Sequence, residues 1–470
     1  MSIALLQFAP KTTKFQASLD RYQVVLSIVA TFVFFSDLAD YLFAAPIIPV
    51  LPLAWIWLFI FLALPFIKKI KTMPKTLVIW LGIYALISML SFATTNGDEI
   101  SFKEFRLRIV SILFICLMYV IYEQKSLKHI KYTIVAVIIM SIANNFYELI
   151  SPKFFSELST GRPAGFYINP NKAGCALILG LIFTIDIIKK PYRWFYMFFI
   201  LSGILATFSR GAILGWIICA IFLSIARVLS EKRRTIVAGV FALVVVLALT
   251  NPLKTVADFA GQSDGAWDVV DRLEQFQNPS LNDDSAQERR AVVGYAWLMF
   301  GNHPFWGNGL GSTYKWSVSE VSTHNMYLFY MADHGIIGIL FLPGAILAVA
   351  WKNRGQTRVQ ILCFAIFMTL WGIFSHNILE ERYILTIFAL LAAMNTNQKW
   401  YLKYSTGNFQ LAQAPANAPL ILPPPRDLQA IGGTPDRRLL PPSRDTFPPQ
   451  GNPSEIEPSD IQRLLPPSRK

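Results

Sequence analysis

THNMYLFYMADHGIIG, residues 323–338, joins the long polar loop of the chain to a clearly apolar segment. His324 and Asn325 open it, nine residues follow, and Gly335 and Gly338 close it. Helical periodicity puts positions 324, 328, 331 and 335 on one face, which predicts an amphipathic helix with a histidine at its start. A histidine at such a junction has two readings. It can be a hydrogen-bonding group of the helix start, or a base, because an unperturbed imidazole titrates near neutrality. The surrounding chain weighs between them.

Of the 470 residues, 54% are hydrophobic and only 15% are charged, and mean hydropathy is +0.44. Apolar runs near the length of a bilayer crossing recur throughout, so an all-α polytopic membrane protein is expected rather than a soluble domain. The net charge of +13 would suit a nucleic-acid binder. The basic residues, however, sit in short clusters between apolar runs, as in the cytoplasmic loops of membrane proteins. Membrane lipids, not nucleic acid, are the expected partners. Cys116, Cys175, Cys219 and Cys363 lie inside apolar segments and none pairs at metal-ligand spacing, so neither a disulfide framework nor a zinc site is expected. The first apolar run follows Lys11, Lys14 and Arg21 without a convincing cleavage site, and reads as a retained first span.

About twelve transmembrane spans are expected. They lie near 22–36, 47–67, 76–93, 109–122, 130–150, 173–188, 192–208, 211–229, 234–250, 337–351, 359–378 and 383–396. If the N-terminus is cytoplasmic, the inside loops carry Lys68, Lys69, Lys71 and Lys75, then Lys125, Lys128 and Lys131. Lys189, Lys190 and Arg193 follow, then Arg227, Lys232, Arg233 and Arg234, then Lys352, Arg354 and Arg358. Outside loops hold Asp37, Asp40, Asp98, Glu99, Glu104, Glu380 and Glu381. The organisation predicted is a cytoplasmic N-terminus (1–21), spans one to nine (22–250), a long periplasmic loop with the histidine motif (251–336) and spans ten to twelve (337–404). A disordered Pro-rich cytoplasmic tail (405–470) follows, so both termini are expected to be cytoplasmic. The tail holds Arg-Leu-Leu-Pro-Pro-Ser-Arg twice, at 438–444 and 463–469. It reads as a docking repeat for a cytoplasmic partner or, with more weight, as a solvated segment outside the chemistry.

This orientation brings scattered groups to one face. Arg162 lies in GRPAGFYINPNKAG, Arg210 in TFSRGAILGW, Arg289 and Arg290 in the long loop, and His324 ends that loop. Ser209 is a natural N-cap, which puts Arg210 in a first helical turn. The helix dipole disfavours a cation there and favours an anion, so the arginine makes sense if both address a bound anion such as phosphate. The competing reading is an arginine snorkelling to lipid headgroups. Arg289 and Arg290 follow Asp283, Asp284 and Glu288 and can equally form a surface ion network. Arg162, beside Pro163, Asn169 and Asn171, can equally be structural. His303, His334 and His376 are not placed for an obvious shared site, so metal catalysis is the weaker option. No P-loop or dinucleotide fingerprint is present.

At these residues the sequence resembles the O-antigen ligase family, within the wider group of O-antigen polymerases and bacterial O-oligosaccharyltransferases. The resemblance rests on His324, Asn325, nine residues, then Gly335-x-x-Gly338. It also rests on Ser209-Arg210-Gly211, on RPAGFYINPN at 162–171, on an arginine ahead of HPFWGNGLG (303–311), and on the span layout; it covers roughly residues 20–400. It implies a membrane glycosyltransferase on the periplasmic face of a Gram-negative inner membrane, inverting and independent of metal or cofactor. The donor would be a glycan on undecaprenyl pyrophosphate and the acceptor a sugar hydroxyl of lipid A–core. His324 would be the base, and Arg162, Arg210 and Arg289 or Arg290 would hold the pyrophosphate. A polymerase or a protein O-oligosaccharyltransferase would use the same donor. The lack of a large C-terminal extracytoplasmic region weighs modestly against the latter. A twelve-span transporter or flippase is the rival of another class, and the absence of an obvious internal repeat weighs against it.

Overall fold

A helix that is apolar on every side has no face to offer water, and must be enclosed by protein or by lipid. Both solutions occur here. The structure, a computed structural model, describes residues 14–44, 50–122, 126–151, 154–155, 162–229, 284–315, 323–351 and 357–396, all inside one unit, Met1–Phe409. The regular structure among them is entirely helical. In chain order the helices are α1 (Lys14–Phe35), α2 (Leu38–Ala44), α3 (Pro52–Ala63, continued as a 3-10 turn to Thr72), α4 (Lys75–Ala93) and α5 (Glu99–Ile121). Next come α6 (Leu127–Ile150), α7 (Pro170–Thr184), α8 (Arg193–Ala206) and α9 (Arg210–Ile225). The last group is α10 (Asp284–Asn302), α11 (Ser312–Lys315), α12 (Met326–His334), α13 (Phe341–Ala350), α14 (Thr357–Trp371) and α15 (Arg382–Thr396).

Among the described residues, five stretches are long and apolar enough to cross a membrane: 17–35, 52–72, 75–93, 127–150 and 326–350. The windows in 52–72 and 75–93 are only 22% and 28% buried, with Phe61, Ile79 and Leu86 facing outward. Such surfaces belong in lipid. By contrast α7 is enclosed, every residue from Ala173 to Thr184 being buried. It packs against α6, α8, α9 and α14. Gly180 and Gly203 let Ile138 and Ile142 approach.

The stretch 326–350 is not one straight rod. Gly335 has φ +68°, and a Cβ there would sit 2.5 Å from the Phe305 carbonyl. A Cβ on Gly338 would run into the Tyr330 carbonyl oxygen. In a continuous helix residues 330 and 338 would be about 12 Å apart, so the chain doubles back. The expected tenth span is therefore a 3-10 turn, Gly335–Leu340, leading into α13.

Other expectations shift in register. Helix α1 begins at Lys14, inside the expected N-terminal segment, and α5 begins at Glu99 rather than near 109. Asp98 caps α5 by accepting the Ser101 N–H at 2.9 Å, and the polar turn that hydropathy excludes is buried at Glu104 and Arg108. Lys131, counted among loop lysines, is a buried residue of α6 bonded to Asp186 at 2.6 Å. The expected eleventh span stops at Trp371, leaving 372–381 as turns. The ninth span, residues 251–283 of the long loop and the tail lie outside the described residues.

Hydrogen bonds and ion pairs join the turns at one end of the bundle. Tyr167 donates to the Phe35 carbonyl, Arg162 to Thr207, Ser209 to Asn171, Lys172 pairs with Glu381, Arg382 with Asp40, and Lys315 with Asp98. Basic turns meet at the other end, where Arg193 donates to the Val228 carbonyl and Tyr119 to the Thr72 carbonyl.

Candidate active site

The His–Asn helix lies across the first of these ends. Asn325, not His324, is the N-cap of α12: its Oδ1 accepts the N–H groups of Tyr327 at 3.0 Å and Leu328 at 3.2 Å. The helix therefore starts at Met326, and the expected 324/328/331/335 stripe is not a helical face, because 324 precedes the cap and Gly335 breaks the geometry. The rest is not amphipathic either, since Leu328 to His334 are all buried. Asn325 does the capping, and the His324 ring is exposed one residue before it. Met326 N–H bonds to the Gly372 carbonyl at 2.8 Å, tying this end to the 372–381 turns.

Those turns bring His376 to His324. The ring centroids are 5.7 Å apart at 64°, in edge-to-face arrangement. His376 Nε2 lies 3.1 Å from the Tyr314 hydroxyl. Burial, together with His324 and Lys172 nearby, pushes the His376 imidazole down to about 4. His376, excluded from any shared site on sequence grounds, is a neighbour of His324 because α14 ends five residues before it.

At its other end α12 is held by a buried ionic cluster. Asp333 is fully enclosed and each of its oxygens accepts twice. Oδ2 takes Arg108 Nη2 at 2.8 Å and Gly311 N–H at 3.1 Å; Oδ1 takes Ser312 N–H at 3.0 Å and Ser312 Oγ at 2.8 Å. Arg108 also bonds to His334 Nε2. Arginine can only donate, so Nε2 accepts, the proton sits on Nδ1, and Nδ1–H donates to Ser91 Oγ at 2.6 Å. His334 is a neutral imidazole with both nitrogens occupied. The HPFWGNGLG turn completes the joint, its Asn308 and Gly309 N–H groups closing the last carbonyls of α12, on Ala332 and Asp333.

Among the arginines, Ser209 does cap α9: its Oγ accepts the Ala212 N–H at 3.3 Å and donates to Asn171 Oδ1 at 2.8 Å. Asn169 caps α7 by accepting the Asn171 N–H at 2.9 Å. Two helix N-termini are thus latched side by side, with the exposed Arg210 on one of them. Arg162 donates Nε and Nη2 to the Thr207 carbonyl at 3.2 and 3.1 Å, next to the C-terminus of α8. It clamps the turn whose capping serine precedes Arg210. Positions 289 and 290 are in the first turns of α10, and their side chains lie outside the described residues. Ile168 and Phe208 hold φ of +61° and +51° directly before the two capping residues. Left-handed backbone at bulky residues costs of order 1–3 kcal/mol each and collects at functional sites.

Lys172 on α7 pairs with Glu381 at 2.9 Å, and Arg382 with Asp40. This ionic belt was not singled out from sequence. Its acids were legible as outside charges, but nothing local links residue 172 to residue 381.

Residues 195–343 match the family model described as O-antigen ligase. This segment of the chain is thus similar to the O-antigen ligase family. The match runs from α8 into α13 and includes Ser209, Arg210, Asn325, His324, Gly335 and Gly338; Arg162, Asn169, Asn171 and His376 lie outside it. No curated protein matches the chain. The family match implies glycosyltransferase-like ligase activity in broad terms.

Proposed function

We propose that this protein is an O-antigen ligase proper. It transfers a glycan from undecaprenyl pyrophosphate to a sugar hydroxyl of lipid A–core, at the periplasmic face of the inner membrane, with both its own termini cytoplasmic. The observation that carries the reading is the cap: Asn325, not His324, takes the helix-start hydrogen bonds, and the exposed His324 lies at the same end as Arg162 and Arg210. His324 removes the acceptor proton as the hydroxyl oxygen attacks the anomeric carbon from the face opposite the pyrophosphate. The glycosyl–phosphate bond breaks with inversion, and undecaprenyl pyrophosphate departs. Arg210, beside the N–H groups of α9, takes up the charge that grows on the leaving group, with Arg289 or Arg290 as a second clamp. Arginines in forked hydrogen bonds do this without a metal ion.

The test is transfer by purified protein in lipid, with chelator present, comparing lipid A–core acceptor with lipid-linked repeat alone. Labelled lipid A–core supports the ligase; chain growth on the carrier without acceptor labelling makes it a polymerase. Arg210→Ala is expected to weaken donor capture, and unchanged donor affinity returns Arg210 to lipid headgroups.

A further inference from the structure

His376 lies outside the matched segment, yet its ring is fixed beside His324. Tyr314 holds Nε2 at 3.1 Å, and the Phe329 ring packs at 5.8 Å between centroids. The other nitrogen, Nδ1, is buried and has no hydrogen-bond partner among the described residues. A buried polar atom left so is costly, and one beside an active-site base calls for a reason.

The charged and titratable groups facing His376 are few. His324 approaches from the start of α12, Lys172 from α7 with its partner Glu381, and Tyr314 from α11. Among the described residues no carboxylate is in direct contact with it, and burial holds its imidazole down to about 4, so His376 is neutral near pH 7. General bases are commonly oriented by a third group that also receives the base's second N–H when it becomes charged. A neutral imidazole can fill that role through one ring nitrogen while a tyrosine fixes the other.

We propose that His376 is the positioning residue of His324: oriented by Tyr314, its remaining ring nitrogen accepts the hydrogen bond of His324 once His324 has taken the acceptor proton. The proton removed from the acceptor stays on His324, and His376 neither gains nor loses one. A neutral partner orients the base without trapping the proton as a carboxylate would. This rests on the base role of His324 argued above.

The test separates the two ring nitrogens. The amide of an asparagine replaces Nδ1 and that of a glutamine replaces Nε2. Full-length protein in lipid carrying His376→Phe, His376→Gln or His376→Asn is assayed for kcat, acceptor KM, donor affinity and pH profile. His376→Phe and His376→Gln are expected to lower kcat by about 10- to 100-fold, with acceptor KM and donor affinity unchanged. The acid limb of kcat/KM should move to lower pH, because protonated His324 loses its acceptor. His376→Asn should restore kcat to within a few-fold. On a His324→Ala background, His376→Phe should cost nothing further. Rescue by glutamine instead of asparagine, unchanged kcat, or a raised acceptor KM in place of a lowered kcat would each overturn the proposal. Wild-type protein that transfers no glycan fails the ligase reading itself, a different result from a wild type that transfers and is indifferent to His376.

Discussion

The two ends of α12 carry a histidine each, and their fates are opposite. His334 is enclosed, its acceptor nitrogen taken by Arg108 and its proton given to Ser91. His324 stands exposed one residue before a cap that asparagine supplies in its place. The same side chain is a structural plug at one end and, in the proposed mechanism, a base at the other; the difference on view is burial, complete at His334 and absent at His324. Proximity to a charged cluster encloses one histidine here, while the other stands at a water-facing edge.

The contrast is sharpest under substitution. Asp333→Ala leaves Arg108 buried without its ion pair, and should destabilise the protein by about 3–5 kcal/mol, read as loss of folded yield or a large fall in thermal midpoint. His324→Ala should leave the melt unchanged while transfer falls by about 10²- to 10⁴-fold. A melt that drops for His324→Ala, or activity that survives it, breaks the distinction. Gly338→Ala drives a Cβ into the Tyr330 carbonyl, where only backbone can yield. It should cost about 1–3 kcal/mol, the usual scale for overpacking, and reduce kcat by displacing α12.

A smaller effect separates the ends by pH. His376 has a folded-state value near 4, below the ordinary histidine value of 6.5. The unfolded chain therefore binds the extra proton first as pH falls, so the stability this neutral ring contributes is present above about 6.5 and is lost toward 4. The thermal midpoint should decline over that window, and His376→Asn should flatten the decline. Deletion of 405–470 should have the smallest effect of all, leaving both melt and transfer in place; loss of activity in well-folded truncated protein would assign the repeat a role.

Much of this was legible in order but not in contact. Ser209 reads as a cap and acts as one, because capping is decided within three residues. The His–Asn motif and its glycines were visible, and so was a turn-rich HPFWGNGLG. What the sequence concealed depends on distant partners. The turn holding Glu104 and Arg108 is too polar for a span by hydropathy, since the arginine's partner Asp333 arrives more than two hundred residues later. His376 was lost inside an apolar run because hydropathy cannot see that Gly372 gives its carbonyl to Met326 and ends the helix early. Lys172 and Glu381 are both ordinary loop charges until the fold makes them neighbours.

The Arg108–Asp333 pair also has a consequence in time. Its two halves are separated by 225 residues, so the cation is made and placed at the bilayer long before its anion exists. A guanidinium in that position is costly alone. The bundle must hold it, at the water edge, until α12 arrives and the 307–312 turn closes over the carboxylate. This joint of α12 is thus completed late in synthesis around a charge laid down early. A chain interrupted before residue 333 would retain that charge unmet.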